Sequence, residues 1–415
     1  MKNDFDVVIV GGGAAGIGAA RRLSQTKLSA LLLEASPRLG GRAWTHEIAG
    51  LNLDMGCGWF HSAERNPWVH IAEAAGFSVS RSKAKWGVQY RDLGFPKDQQ
   101  AEARAAFEGW MRMLEHAPPP GDCAADALPK GGEWSNYIRA IAGFVSGATL
   151  ERLSIADYLA YDEASSDNNW RTPEGLGAVV ASAFPQDVPL RLATPVHAVN
   201  PGASGVTLAT TAGTVTARAV ILTVSTAVLA GDTLKLPAEL AAWREAANQL
   251  PLGRDEKFFF EIVGPAPFEP ESQVLGDPRD ARTAAYYIRP LGSPVVECFF
   301  GAEGARLVEE AGPVAGFDFA LGQLVALFGA GIRAALRPLA ASSWSASKLI
   351  GGAYSCALPG HATARRALAA PFDNRVFFAG EATHTSDFST AHGAHDSGVR
   401  AAEEVIASLA AQSAR

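Results

Sequence analysis

The chain has 415 residues and carries 36 Lys+Arg against 43 Asp+Glu, a net charge of −7, with 48% hydrophobic and 19% charged residues. This is globular composition with ample material for a core, and the length leads to an expectation of two or three domains. Net acidity without a dense Lys/Arg cluster argues against nucleic acid as a partner, and no apolar run approaches the roughly 18 residues that a membrane span needs. Four well-separated cysteines (Cys57, Cys123, Cys298, Cys356) argue against a disulfide scaffold or a zinc site. The opening MKNDFDVVIV enters a strand-like segment without a charged leader, apolar core or cleavage site, so a cytoplasmic location is expected.

Asp6-Val7-Val8-Ile9-Val10 is a β-branched apolar run and predicts a buried parallel strand. Gly11-Gly12-Gly13-Ala14-Ala15-Gly16 follows at once and leads into the helical pattern IGAARRL. Gly11, Gly13 and Gly16 have GxGxxG spacing in the strand–turn–helix setting that the motif requires. Gly11 permits the tight turn, Gly13 lets the backbone approach a pyrophosphate, and Gly16 allows close helix–strand packing. The start of the helix, Ala14-Ala15, would present free N–H groups to phosphate charge. A second apolar strand, Ser29 to Leu33, ends in Glu34, 18 residues beyond Gly16. A carboxylate at that point accepts ribose hydroxyls and disfavours a 2′-phosphate. In Arg38-Leu39-Gly40-Gly41-Arg42 the paired glycines permit close backbone approach and Arg42 offers a forked cation for phosphate oxygens, while Arg38 suits either that role or the surface.

Residues 76–186 read as helix-like, with a proline-rich loop at Pro118-Pro119-Pro120. Arg191 to Ser225 is strand-rich, with turn signals at Pro201-Gly202 and Ala212-Gly213. Thr283 to Arg289 and Val295 to Phe300 alternate as strands do. Asn374 to Thr383 predicts a third buried strand ending at Gly380-Glu381. Thr390-Ala391-His392-Gly393-Ala394 then opens a helix with Val399, Ala402, Ile406 and Leu409 on one face. Its N-terminus would place a positive dipole end beside developing negative charge. His392 and His395 are one helical turn apart, which would suit a metal; the pattern favours solvated helix positions, and no metal site is expected.

Together these ends resemble the flavin-dependent amine oxidase family of monoamine oxidases, polyamine oxidases and flavin-type histone lysine demethylases. The matching stretches, in family order, are DVVIVGGGAAGIGAARRL, LLLEASPRLGGRAWT, LDMGCGWFHS, LPLGRDEKFFF, WSASKLIGGAYS and RVFFAGEATHTSDFSTAHGAHDSGVRAA. The resemblance implies an α/β fold, with a Rossmann-like FAD-binding domain of the glutathione-reductase-like class interleaved with an α+β substrate domain. The FAD-binding domain is expected over residues 1–75, 187–249 and 370–415, and the substrate-binding domain over 76–186 and 250–369. FAD contacts are implied for Gly11, Gly13, Ala14, Ala15, Gly16, Glu34, Arg38, Gly40, Gly41, Arg42, Gly56, Val196, Gly380, Glu381, Thr390 and Ala391. Thr194-Pro195-Val196 is similar to the family segment whose valine backbone meets adenine.

The same resemblance implies the catalytic set Lys257, Tyr354, Thr390, His61 and Trp344. Lys257 takes the position of a lysine that reaches through water to the flavin N5. It stands just before an apolar strand, where desolvation would lower its pKa; an ordinary strand-edge lysine is the structural alternative. Tyr354 matches one of two aromatic residues that face the flavin, but the second falls at Thr390, so a full monoamine-oxidase cage is absent. Ala353 stands where monoamine oxidases carry the flavin-linked cysteine, so FAD is expected to be non-covalent and Cys356 to be buried packing. His61 matches a polyamine-oxidase histidine near the flavin, or serves as a hydrogen-bonded structural residue. Trp344 matches a tryptophan before the GGxY turn, and Lys348-Leu349 replace the usual Pro-Trp.

The implied reaction is oxidation of a primary or secondary amine, a polyamine among the candidates. The amine binds neutral, gives a hydride to flavin N5, and leaves as an imine; reoxidation by oxygen gives hydrogen peroxide. The partners are then a small-molecule amine and molecular oxygen, with no nucleic acid and no membrane; nothing in the sequence sets the oligomeric state. Alternatives are a related FAD-dependent dehydrogenase or desaturase, an L-amino-acid oxidase, and a redox-inert flavin-binding protein. The amino-acid oxidase is disfavoured because no arginine lies in Gly56 to Ser62 to clamp a carboxylate.

Overall fold

The computed structural model describes residues 3–413. In chain order the strands are β1 (Phe5–Val10), β2 (Ala30–Leu33), β3 (Thr45–Ile48), β4 (Leu51–Asp54), β5 (Leu190–Arg191), β6 (Val196–Gly202), β7 (Gly205–Thr210), β8 (Gly213–Leu222), β9 (Asp255–Ile262), β10 (Ser272–Leu275), β11 (Ala285–Ile288), β12 (Val295–Gly301), β13 (Leu336–Ala341) and β14 (Val376–Phe378).

The apolar run after Asp6 is buried because it forms a central strand. The first sheet runs β5-β2-β1-β8-β7-β6, with β14 also paired to β8. β1 is parallel to β2 and β8, and β14 is parallel to β8. β6, β7 and β8 form an antiparallel meander. Alternation sends Val7 and Ile9 to one face, against Ile17, Leu23, Val405 and Leu409 of the first and last helices. Val8 and Val10 face the other way, against Leu229, Leu240 and Leu368. The C-terminal helix, Ala391–Ser413, lies along the first helix, Ala14–Ser24. Glycine permits that approach: a Cβ on Gly398 would lie 1.9 Å from the Ala15 carbonyl oxygen.

The second sheet runs β10-β11-β12-β9-β13 and is antiparallel throughout. Its outer face packs Phe258, Phe260, Val296, Phe300 and Tyr286 under the helices Ala302–Ala311 and Pro313–Phe328. The alternate residues Lys257, Glu297, Phe299 and Tyr287 line a cavity. The helices Lys97–His116, Ser135–Ser146 and Ile155–Ala164 gather around Trp110, Leu114, Ile138 and Tyr158.

Several expectations shift. The strand expected within Asn374 to Thr383 covers only Val376–Phe378; the chain does turn at Gly380, whose φ is +134°. Lys257 lies within β9 and not before it, because β12 carries the ladder past that position to Asp255. His392 and His395 are not solvated: His392 is 2% exposed, and the His395 ring packs edge-on against Trp68 at 5.1 Å. The helix face that carries them turns inward against the Asn66–Trp68 segment. Leu176, Val179 and Val180, and separately Ala357, Ala364 and Leu368, bury themselves in the cores of the first sheet, although the sequence division counts both stretches with the substrate-binding domain. All four cysteines are free. Among the described residues, no helix is long and apolar enough to cross a membrane and no side-chain cluster could hold a metal ion.

Candidate active site

A cavity of about 1300 Å³ runs from the C-terminal edge of the first sheet to the inner face of the second. One end is built from the glycine turn after β1. A Cβ on Gly16 would lie 1.9 Å from the Gly11 carbonyl oxygen, so the turn closes only around glycine. Gly13, the N-cap of the first helix, makes no side-chain cap, and no acid stands in that first turn. Gly13, Ala14 and Ala15 line the cavity, so the helix offers uncapped N–H groups and a positive dipole end to an anion. Gly40 and Gly41, with φ +100° and +58°, bring a second backbone segment against Gly13: a Cβ on Gly41 would lie 3.2 Å from the Gly13 Cα. Glu34 closes β2 and accepts from the N–H groups of Gly12 at 2.5 Å and Ser36 at 2.7 Å. Uncapped donors, close glycine backbones and an acid at the strand end fit a dinucleotide, and the volume leaves room for a substrate beside it.

Arg42 and the C-terminal motif form one network. Arg42 Nη1 donates to Glu381 Oε1 at 2.9 Å and to the Ala353 carbonyl. Glu381 also accepts from Ser355 Oγ at 2.7 Å and from the Ser389 N–H at 2.9 Å. Burial would raise its carboxyl, but Arg42 and Arg365 outweigh that and hold it below the usual carboxylate range. Arg38 lies over the Trp44 ring at 4.5 Å and donates to the Gly41 carbonyl at 2.9 Å. Val196 opens β6 on the cavity wall, and Gly380 and Ala391 line it too. Gly56 also borders the cavity; a Cβ there would strike the Arg42 carbonyl at 1.9 Å and meet the Trp344 ring at 3.0 Å.

The expected catalytic residues gather on the same cavity. Lys257 Nζ donates to the Asp54 carbonyl at 3.0 Å and pairs with Glu297 Oε1 at 2.8 Å. His61 Nδ1 lies 2.7 Å from Asn169 Oδ1. Asn169 Nδ2 donates to the Ser166 carbonyl, so Oδ1 must be the acceptor and the His61 proton resides on Nδ1. Burial pushes His61 down to about 4, so its ring is neutral near pH 7 and Nε2 carries a lone pair. Tyr354 donates its hydroxyl to the Phe144 carbonyl at 2.7 Å, which fixes the ring. Burial raises this phenol well above its ordinary range, and Asp255 adds to the effect. Trp344 is held from both sides: its indole N–H donates to the Met55 carbonyl at 3.0 Å and its backbone N–H to Glu256 at 2.6 Å. Thr390 caps the C-terminal helix, accepting from the Gly393 N–H at 3.0 Å and donating to the Asp387 carbonyl at 2.6 Å.

Sequence reasoning missed the partners of these residues. Glu297, Asn169 and Asp255 were not singled out, nor was Arg171, which stacks between Trp59 and Tyr287 at 4.4 and 4.5 Å. A signal existed for one: Glu297 is the lone acid inside the apolar run Val295–Gly301.

A Rossmann-type sheet with a glycine cradle, joined through one cavity to an antiparallel sheet with an aromatic and lysine-bearing floor, defines a dinucleotide-dependent oxidoreductase. The sequence profile of the flavin-containing amine oxidoreductases matches residues 78–406, and that of NAD(P)-binding Rossmann-like domains matches residues 9–73. The chain therefore belongs to the flavin-containing amine oxidoreductase family and is an FAD-dependent enzyme. Polyamine oxidase 4 of Oryza sativa subsp. japonica is 27% identical, with 96% of this chain and 88% of that protein aligned. Polyamine oxidase 2 of Arabidopsis thaliana is also 27% identical, over 96% of this chain and 87% of that one. A solved structure of putrescine oxidase bound to putrescine superposes with a TM-score of 0.76 at 19% identity, covering 97% of this chain and 99% of the other; at that identity the likeness concerns the fold.

Proposed function

We propose that the enzyme oxidises a primary or secondary amine, with polyamines among the candidates, using non-covalent FAD and molecular oxygen as electron acceptor. The observation that carries this reading is the single cavity joining the Gly11–Ala15 cradle to Lys257, His61 and Tyr354. When bound, FAD supplies the redox chemistry, taking a hydride equivalent at N5 and passing its electrons on. The chain's own residues bind, orient and exclude water. The uncapped N–H groups of the first helix and Arg42 suit the pyrophosphate, Glu34 the ribose, and the Val196 backbone the adenine. The start of the C-terminal helix, capped by Thr390, suits the negative charge that gathers on a reduced ring. His61 Nε2 can accept from an amine N–H but, neutral, does not repel a cation on its way in. Tyr354, Phe299 and Trp59 supply aromatic walls for the neutral amine. Lys257 is the residue assigned to the water beside N5.

Burial pushes the Cys57 thiol up to about 12, leaving it protonated and a poor nucleophile, which together with Ala353 supports a non-covalent cofactor. Four free cysteines agree with a cytoplasmic setting. The division into an interleaved FAD-binding domain (1–75, 187–249, 370–415) and substrate-binding domain (76–186, 250–369) is part of the same reading. The decisive experiment mixes the FAD-loaded enzyme anaerobically with putrescine, spermidine, a secondary alkylamine and benzylamine. Bleaching by at least one of them, followed by peroxide on admission of air, is expected. Bleaching without peroxide would make the enzyme a dehydrogenase; no bleaching would favour an inert binder.

A further inference from the structure

The inner faces of β9 and β12 carry one ion pair, Lys257 Nζ to Glu297 Oε1 at 2.8 Å. The register accounts for it: Phe299 lies opposite Lys257 and Glu297 opposite Phe259, so the two charged side chains are diagonal neighbours on one face. Both border the cavity. Glu297 interrupts a strand whose other residues are apolar or glycine, and it is the one acid that the strand presents to the cavity.

The pairing has a directional consequence. An ammonium has three N–H donors. Glu297 takes one, and the Asp54 carbonyl at the end of β4 takes a second at 3.0 Å. The Asp54 carbonyl is backbone at the end of β4, so its direction is set by the strand, and the Glu297 carboxylate reaches Nζ from the facing strand β12. One N–H remains. A Cβ on Gly58 would lie 3.5 Å from Nζ and 3.2 Å from Asp54 Oδ2, so the Gly58 backbone and the Asp54 carboxylate stand on that side, and Gly58 itself lines the cavity.

We propose that Glu297 is a positioning residue for Lys257: with the Asp54 carbonyl it fixes the ammonium so that the single remaining N–H faces the cavity where the flavin ring binds. The role rests on the assignment of Lys257 made above and adds the residue that aims it. Without the carboxylate, a flexible four-carbon side chain held by one carbonyl samples several directions.

A double-variant cycle on the FAD-loaded enzyme tests this, using E297Q, K257M and E297Q/K257M, with E297D as the conservative variant. Each is reduced with dithionite and mixed with oxygen in a stopped-flow instrument. The visible spectrum of the bound oxidised flavin is recorded as a second readout, and FAD stoichiometry confirms folding. E297Q is expected to slow reoxidation about tenfold, within the coupling seen between contacting residues, and to perturb the spectrum. E297D recovers most of the rate. In the K257M background, E297Q changes the rate by less than about twofold and leaves the spectrum alone. Equal effects of E297Q with and without Lys257 overturn the proposal, as does an unaltered E297Q enzyme beside an impaired K257M. If K257M itself reoxidises normally, the assignment of Lys257 falls first and that of Glu297 with it.

Discussion

Arg365 is 1% exposed and Asp157 2%, and they are joined by a bidentate pair at 2.6 and 2.7 Å. Arg365 Nη1 also donates to Ser355 Oγ at 2.9 Å, and Ser355 in turn serves Glu381. One buried cation thus ties the helix Ile155–Ala164 to the Tyr354 turn and to the C-terminal motif. Removing it strands a buried carboxylate, so Arg365→Met should cost about 3–5 kcal/mol in denaturant unfolding. The double variant with Asp157→Asn should recover part of that loss; an unchanged midpoint for Arg365→Met would contradict the account. Neither residue announces itself in the sequence, since an arginine or aspartate in a helical stretch reads as surface. Gly11, Gly13, Gly16 and Glu34 do announce themselves, because the turn they build is local. The neutral state of His61 is not legible in the same way: burial imposes it, against the upward pull of the hydrogen bond to Asn169, 108 residues away.

At the scale of elements, β9 shows how one strand serves two sides. Lys257 faces the cavity, whereas Glu256 faces the other side of the strand and holds the segment after β13 through the Ser342 hydroxyl and the Trp344 N–H. Burial pushes Glu256 up to about 8, helped by Glu309, while those donors pull it down. The folded chain therefore binds this proton more tightly than the unfolded chain, whose Glu titrates near the ordinary 4.5. The stability tied to it is fully present below that value and is lost as the pH rises through about 8. Glu256→Gln should flatten the fall in melting temperature over this window, and parallel pH profiles for the two proteins would refute it. The apolar run FFF marks the strand in the sequence. Which alternate residues face the cavity was not readable, because both faces of β9 are buried and the period-2 signal is lost.

For the whole molecule, the nucleotide cradle comes from the N-terminus and the Arg42 network closes on Glu381 near the C-terminus. The cavity joins pieces that the unfolded chain keeps far apart, so FAD binding in it would report on the folded state alone. At about 100 times its Kd, FAD should add about 2.7 kcal/mol to the stability of the flavin-free protein. Thermal melts with and without FAD test this; coincident melts would mean that the cradle does not bind it. The sequence by itself determined the Rossmann-type beginning and the family, since these rest on short spacings and local turns whose physics needs no distant partner. Only the tertiary structure decided the rest. It paired Lys257 with Glu297, turned His392 and His395 inward, joined Asp157 to Arg365, and packed the Leu176–Ser182 helix against the first sheet. Each of these depends on side chains brought together across long stretches of chain, where burial and pairing outweigh what a residue's immediate neighbours imply.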